Sequence, residues 1–172
     1  LMGARDLSNL NTPPANRRPV ETILTQTTPQ IIREAVGFEM SRNGQVYFVN
    51  SRISNIENLA ALIQREVPDA RIAVAHGRLA PKEMEQILID FGNQEYDVLV
   101  ATKIIENGID VPNANTIMIH DAHHYGLSEL HQLRGRVGRS DRKAFCYLLT
   151  PPLEGLSEDS KRRLRAIESF SD

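Results

Sequence analysis

Six short apolar runs, each rich in β-branched or aromatic side chains, recur along the chain: PVETIL (19–24), QVYFV (45–49), RIAVA (71–75), YDVLVA (96–101), TIMIH (116–120) and AFCYLL (144–149). Runs this short with this composition read as strands. Helical periods lie between several of them. Ile56, Leu59, Ala60, Ile63 and Val67 follow i, i+3, i+4, i+7, i+11, and Met84, Ile87, Leu88 and Phe91 repeat over two turns. Ser54 with Glu57 predicts a capping box for the first of these helices, and Pro81 suits the first position of the second. Nearly unbroken apolar strands alternating with helices predict a parallel sheet covered on both faces. The expected fold class is α/β, an open, doubly wound and mostly parallel sheet.

With 172 residues, 41% hydrophobic and 24% charged, the chain is long enough for one buried core and has an ordinary globular composition. No apolar run approaches the roughly 18 residues that span a bilayer, so a soluble protein with no membrane contact is expected. Leu1 and Met2 open no secretory pattern. The single cysteine, Cys146, can form no internal disulfide and reads as a small core hydrophobe, which suits a reducing cytoplasm. A net charge of −2 argues against a free-standing nucleic-acid binder, so any phosphate contact must be local. Residues 1–18 are polar, contain Pro13 and Pro14 and read as a linker from a preceding domain, while 19–152 read as the domain itself. Within 153–172, residues 157–170 predict a short charged helix with too few apolar positions to stand alone.

Ligands of open parallel sheets bind beyond the carboxyl ends of the strands, which makes the residues following each run informative. These are Asn50-Ser51-Arg52, His76-Gly77, Thr102-Lys103 and His120-Asp121, so one edge is polar four times over. The stretch HQLRGRVGRS (131–140) concentrates cations further. Wound as a helix at about 100 degrees per residue, it sets Gln132, Arg136 and Arg139 on one face and Leu130, Leu133 and Val137 on another. Gly135 and Gly138 either weaken that helix, by about 1 kcal/mol each, or mark its end. Guanidinium groups suit bidentate phosphate contact. In ATKIIENGID, Thr102 can hold a phosphate and Asp110, beyond Gly108, can accept from a ribose hydroxyl.

HDAHH (120–124) offers His120, Asp121, His123 and His124 as ligands for a metal-dependent hydrolase, a reading of a different class. Adjacent histidines in a loop rarely converge on one ion, and no second cluster completes the set. A third reading is a non-catalytic nucleic-acid-binding module. The phosphate-cradling sequence G-x-x-x-x-G-K-[ST] occurs nowhere, so the chain has phosphate-seeking arginines without a phosphate loop.

ATKIIENGID resembles motif V of the superfamily 2 helicases, A-T-x-x-x-x-G-[IV]-D, and Gln132 to Arg139 resembles their motif VI, Q-x-x-G-R-x-G-R. Within that superfamily, LMGARDLSNLNTPPANRRP, HGRLAPKEMEQILIDF, ANTIMIHDAHHYGLSELHQLRGRVGRS and KRRLRAIESF look like the bacterial transcription-repair coupling factors, over essentially the whole chain. The branch-migrating RecG helicases share motif VI and the helical element after it. The resemblance implies the second RecA-like domain of a two-domain motor that moves on double-stranded DNA, displaces stalled RNA polymerase and recruits excision-repair proteins. ATP with Mg2+ would be held mostly by the first RecA-like domain, so these residues alone would hydrolyse none. It further implies that Arg139 is an arginine finger, with Arg136 and Gln132 beside it and Gly135 and Gly138 lining the nucleotide. Asp110 and Gly108 would meet the ribose, while Arg52, His76, Gly77, Thr102 and Lys103 would meet DNA. Residues 153–172 would begin the translocation motif.

Overall fold

The computed structural model describes residues 19–102 and 111–170. All six expected strands are present: β1 Val20–Gln26, β2 Gln45–Val49, β3 Ile72–Ala75, β4 Val98–Ala101, β5 Ala114–His120 and β6 Ala144–Thr150. They form one sheet in the order β1-β6-β5-β2-β4-β3, and every pairing is parallel. The helices are α1 Pro29–Ser41, α2 Ile56–Glu66, α3 Pro81–Gly92, α4 Leu127–Arg134 and α5 Glu158–Glu168.

The handedness of the connections decides which face each helix covers. From β1 to β3 the chain advances across the sheet, and from β3 to β6 it returns. Parallel crossovers are right-handed, so the reversal moves the later helices to the other face. Accordingly α1 and α2 bury Ile32, Val36, Ile56 and Ile63 against Val46, Phe48, Val98 and Met118. On the opposite face, Phe91 of α3, Leu130 and Leu133 of α4, and Leu164 and Ile167 of α5 share a core with Tyr47, Leu99, Ile117 and Leu148. The central strands β2 and β4 are buried at every residue because both faces are covered, whereas the edge strands β1 and β3 are only partly so. Cys146 is fully buried, and desolvation pushes its thiol up to about 12, which makes it an inert core residue.

Two local expectations need correction, and one helix was not expected. α2 has no capping box on Ser54: its N-cap is Asn55, whose side chain makes no capping bond and instead accepts from Asn50 Nδ2 at 2.7 Å. The basic stretch is not one helix, since α4 stops at Arg134. A further helix, α1, precedes β2, capped by Thr28, whose Oγ1 accepts from Ile31 N at 3.1 Å, with Pro29 at its first turn. Pro81 does open α3 as expected, and α5 sits within 157–170 with Ser157 as its cap.

The α1 stripe Ile32, Ala35, Val36 and Glu39 ends on a carboxylate with no exposure. Arg42 donates to it through Nε and Nη2, each at 2.7 Å, and Thr116 Oγ1 donates from β5 at 2.5 Å. Breaking such a buried pair leaves an uncompensated charge, so the group must be held in place. Gly44 makes room for it: a Cβ there would meet Glu39 Oε2 at 1.8 Å. Gly44→Ala is therefore expected to destabilise the fold by about 2 kcal/mol, measured by chemical denaturation. An unchanged midpoint would show that Glu39 can move aside at no cost.

Candidate functional site

At the carboxyl edge of the sheet the organising residue is Asn50, only 1% exposed, directly after β2. Its backbone N–H donates to Ala101 O at 2.9 Å, which ties the turn to β4. Its Nδ2 donates to Arg52 O and to Asn55 Oδ1, both at 2.7 Å, and its Oδ1 lies 3.0 Å from His120 Nδ1. One buried amide thus fixes the backbone of Arg52 and the ring of His120, and leaves the Arg52 side chain exposed. His76 follows β3, and its Nδ1 accepts from Arg78 N at 3.1 Å in a tight turn through the exposed Gly77. Thr102 directly follows β4, 8% exposed, with its N–H donating to Ala75 O at 3.2 Å. Arg52, His76, Gly77 and Thr102 therefore share one edge, as expected. Lys103, Gly108 and Asp110 lie outside the described residues.

The HDAHH segment turns sharply after β5, with Asp121 in the left-handed region at φ 51. His120 Nδ1 is 3.7 Å from Asp121 Oδ2, and the rings of His123 and His124 are 4.2 Å apart. Among the described residues, no group of three or more His, Cys, Asp or Glu side chains is arranged to hold an ion, which takes the geometric support from the hydrolase reading. The segment is braced from α5, where Arg163 Nη2 donates to His123 O at 2.9 Å and Nε to Tyr125 O at 3.3 Å. Burial pushes His120 below its ordinary value, against a smaller opposing pull from Asp121, and burial with the neighbouring His124 lowers His123 in the same direction.

The arginine stretch lies at the other end of the sheet. α4 leaves the carboxyl edge and runs back along the sheet. At its last residue Arg134, 4% exposed, Nη2 donates to Val20 O at 2.8 Å and Nε to Thr22 Oγ1 at 2.7 Å, both at the start of β1. Beyond Gly135 the backbone tightens to three-residue bonds, Arg136 N to Leu133 O at 3.0 Å and Val137 N to Arg134 O at 3.4 Å. Gly138 then takes φ 87, a conformation that glycine adopts without strain. Gly135 has an ordinary helical φ of −70, and a Cβ there would sit 3.4 Å from His131 O, so the chain's own geometry does not demand glycine. Val137 is fully buried, whereas Arg139 and Gln132 are exposed and Arg136 is half-buried. Arg139 Nε donates back to Gly135 O at 3.3 Å. Gln132 thus sits on α4 while Arg136 and Arg139 lie on the turn beyond it, so the three do not share the single helix face that the spacing suggested.

Residues 27–141 match the helicase conserved C-terminal domain. The chain belongs to that family. It is 48% identical over 170 residues to the transcription-repair-coupling factor of Haemophilus influenzae, and 46% identical over 172 residues to that of Staphylococcus aureus. These alignments cover 99% and 100% of the chain but only 15% of either relative. Among solved structures it is similar to RecG bound to a three-way DNA junction, with TM-score 0.79 and 35% identity over 93% of this chain and 21% of that one. Yeast Dbp5 bound to RNA and ADP BeF3 shares the fold at TM-score 0.68 and 18% identity, over 87% of this chain and 38% of its own. The sheet is thus the RecA-like fold of helicase C-terminal domains.

A histidine whose folded pKa is depressed contributes stability that is complete above its unfolded value of 6.5 and is lost as the pH falls through that value toward the folded one. The thermal midpoint should therefore fall between about pH 7.5 and 5.5, and His120→Gln should flatten that slope. An identical slope in the variant would assign the pH dependence to other groups.

Proposed function

We propose that the chain is the second motor domain of an ATP-driven double-stranded DNA translocase, supplying one wall of a nucleotide site that it shares with a first RecA-like domain. The observation that carries this reading is the arginine turn: Arg134, Val137 and Gly138 are buried, while Arg139 on the same turn is exposed. An exposed guanidinium on a fixed backbone suits contact with a phosphate presented from another body. The glycine at 135, which the fold itself does not demand, agrees with close approach of an external group.

In this reading Arg139 reaches the terminal phosphate, Arg136 and Gln132 stand beside it, and Gly135 and Gly138 let the backbone approach. Gly108 and Asp110 would meet the ribose. ATP supplies its phosphoryl transfer chemistry with Mg2+ held mainly by the first domain. The carboxyl edge then faces DNA, with Arg52, His76, Gly77, Thr102 and Lys103 toward phosphates. Residues 1–18 would link the two motor domains, and 153–172 would begin the translocation motif. The role we assign to the whole protein is cytoplasmic coupling of stalled RNA polymerase to excision-repair proteins; the 46–48% identical relatives, named transcription-repair-coupling factors, support the link between transcription and repair. A RecG-like branch-migrating role is the alternative, supported by 35% identity to that helicase.

In the full-length protein, Arg139→Ala should reduce DNA-stimulated ATP hydrolysis by about 10³-fold or more while most ATP binding is kept. Hydrolysis within a few-fold of the parent would move the finger role to another residue.

A further inference from the structure

We infer that Asn115 and Ser140 form a clamp that positions the Arg139 turn for phosphate contact, an inference that rests on the nucleotide role proposed for Arg139. A long, exposed arginine can act on a phosphate only if its backbone is fixed to within about 0.5 Å. Two fixtures stand on the near side of the turn: Arg134 bound to β1, and Val137 in the core. Both also hold the fold together. The fixture on the far side is different, because it rests on a small hydroxyl, that of Ser140, which is itself partly exposed.

Ser140 Oγ donates to Asn115 Oδ1 at 2.9 Å and accepts from Arg142 N at 3.2 Å, so one hydroxyl gathers the residues after Arg139 onto β5. Arg142 continues the anchorage: its Nη1 donates to the carbonyl of Arg42, whose own guanidinium binds the buried Glu39. Asn115 is a costly residue for its place. It is 1% exposed in a central parallel strand, and its Nδ2 is buried with no hydrogen-bond partner among the described residues. An apolar residue there would spare the fold an unsatisfied donor. A residue that taxes stability while its oxygen holds the turn is explained by positioning.

The test uses the full-length protein and steady-state DNA-stimulated ATP hydrolysis, with Ser140→Ala as the main variant because Ser140 is partly exposed and its loss opens no core cavity. The clamp predicts that Ser140→Ala lowers kcat by about 10- to 100-fold, with the KM for ATP little changed and the thermal midpoint lowered by only a few degrees, because the buried Asn115 Oδ1 loses its donor. Ser140→Thr, which keeps the hydroxyl, should restore most of the rate. If Arg139→Ala abolishes hydrolysis but Ser140→Ala turns over like the parent, the clamp is wrong and the finger stands. If Ser140→Ala loses rate only in step with its thermal midpoint, or Ser140→Thr fails to recover, the residue is structural and the clamp is likewise wrong. If Arg139→Ala itself remains active, the nucleotide reading falls instead, independently of the clamp.

Discussion

Right-handed crossovers between parallel strands constrain this molecule more than any single contact, because they decide what each helix can reach. The chain crosses the sheet in one direction as far as β3 and returns in the other, which sends α3 and α4 to the face opposite α1 and α2, where α5 also packs through Leu164 and Ile167. α4 must then run back from the carboxyl edge before β6 can begin. With eight residues it covers about 12 Å, enough to carry the following turn from the polar edge to the start of β1. Two polar regions separated by the length of a helix follow directly from this path.

That separation gives the two regions different physical characters. The carboxyl edge is organised by a buried amide, Asn50, which ties three strand ends together and leaves exposed cations around it. The arginine turn is organised by a buried cation. Arg134 reaches β1 through Val20 and Thr22, donates to Phe170 O at 3.4 Å and stacks over the Phe170 ring at 5.3 Å, so the ends of α4 and α5 meet on one guanidinium. Arg163 makes a second link from α5, to the segment after β5. α5 is therefore joined to both regions, although it buries only Leu164 and Ile167.

The strands and their parallel arrangement were legible because β-branched runs in a doubly covered sheet leave a strong compositional trace. α1 was not read because its apolar stripe ends at Glu39, whose burial depends on Arg42 and on Thr116, 77 residues away. The helix drawn through Arg139 failed because periodicity alone cannot distinguish a glycine inside a helix from one that ends it, and Gly138 at φ 87 belongs to the turn. Ser54 looked like a cap only because the competing partner of Asn55 comes from the loop after β2. Asn50, Arg134 and Arg163 carry no local signature, since the partners that tie them to other elements lie between 36 and 114 residues away. The residues that meet the outside were readable as motifs, and those that hold them were not.

The central claim is that these residues supply one wall of a shared nucleotide site, with the arginines present and the phosphate loop elsewhere. Phosphate release by the isolated 172-residue chain, with ATP, Mg2+ and duplex DNA, tests that claim most directly. The account predicts no turnover above the buffer rate, with or without DNA. DNA-stimulated hydrolysis by the isolated chain, lost on Arg139→Ala, would contradict it by showing a complete site within these residues.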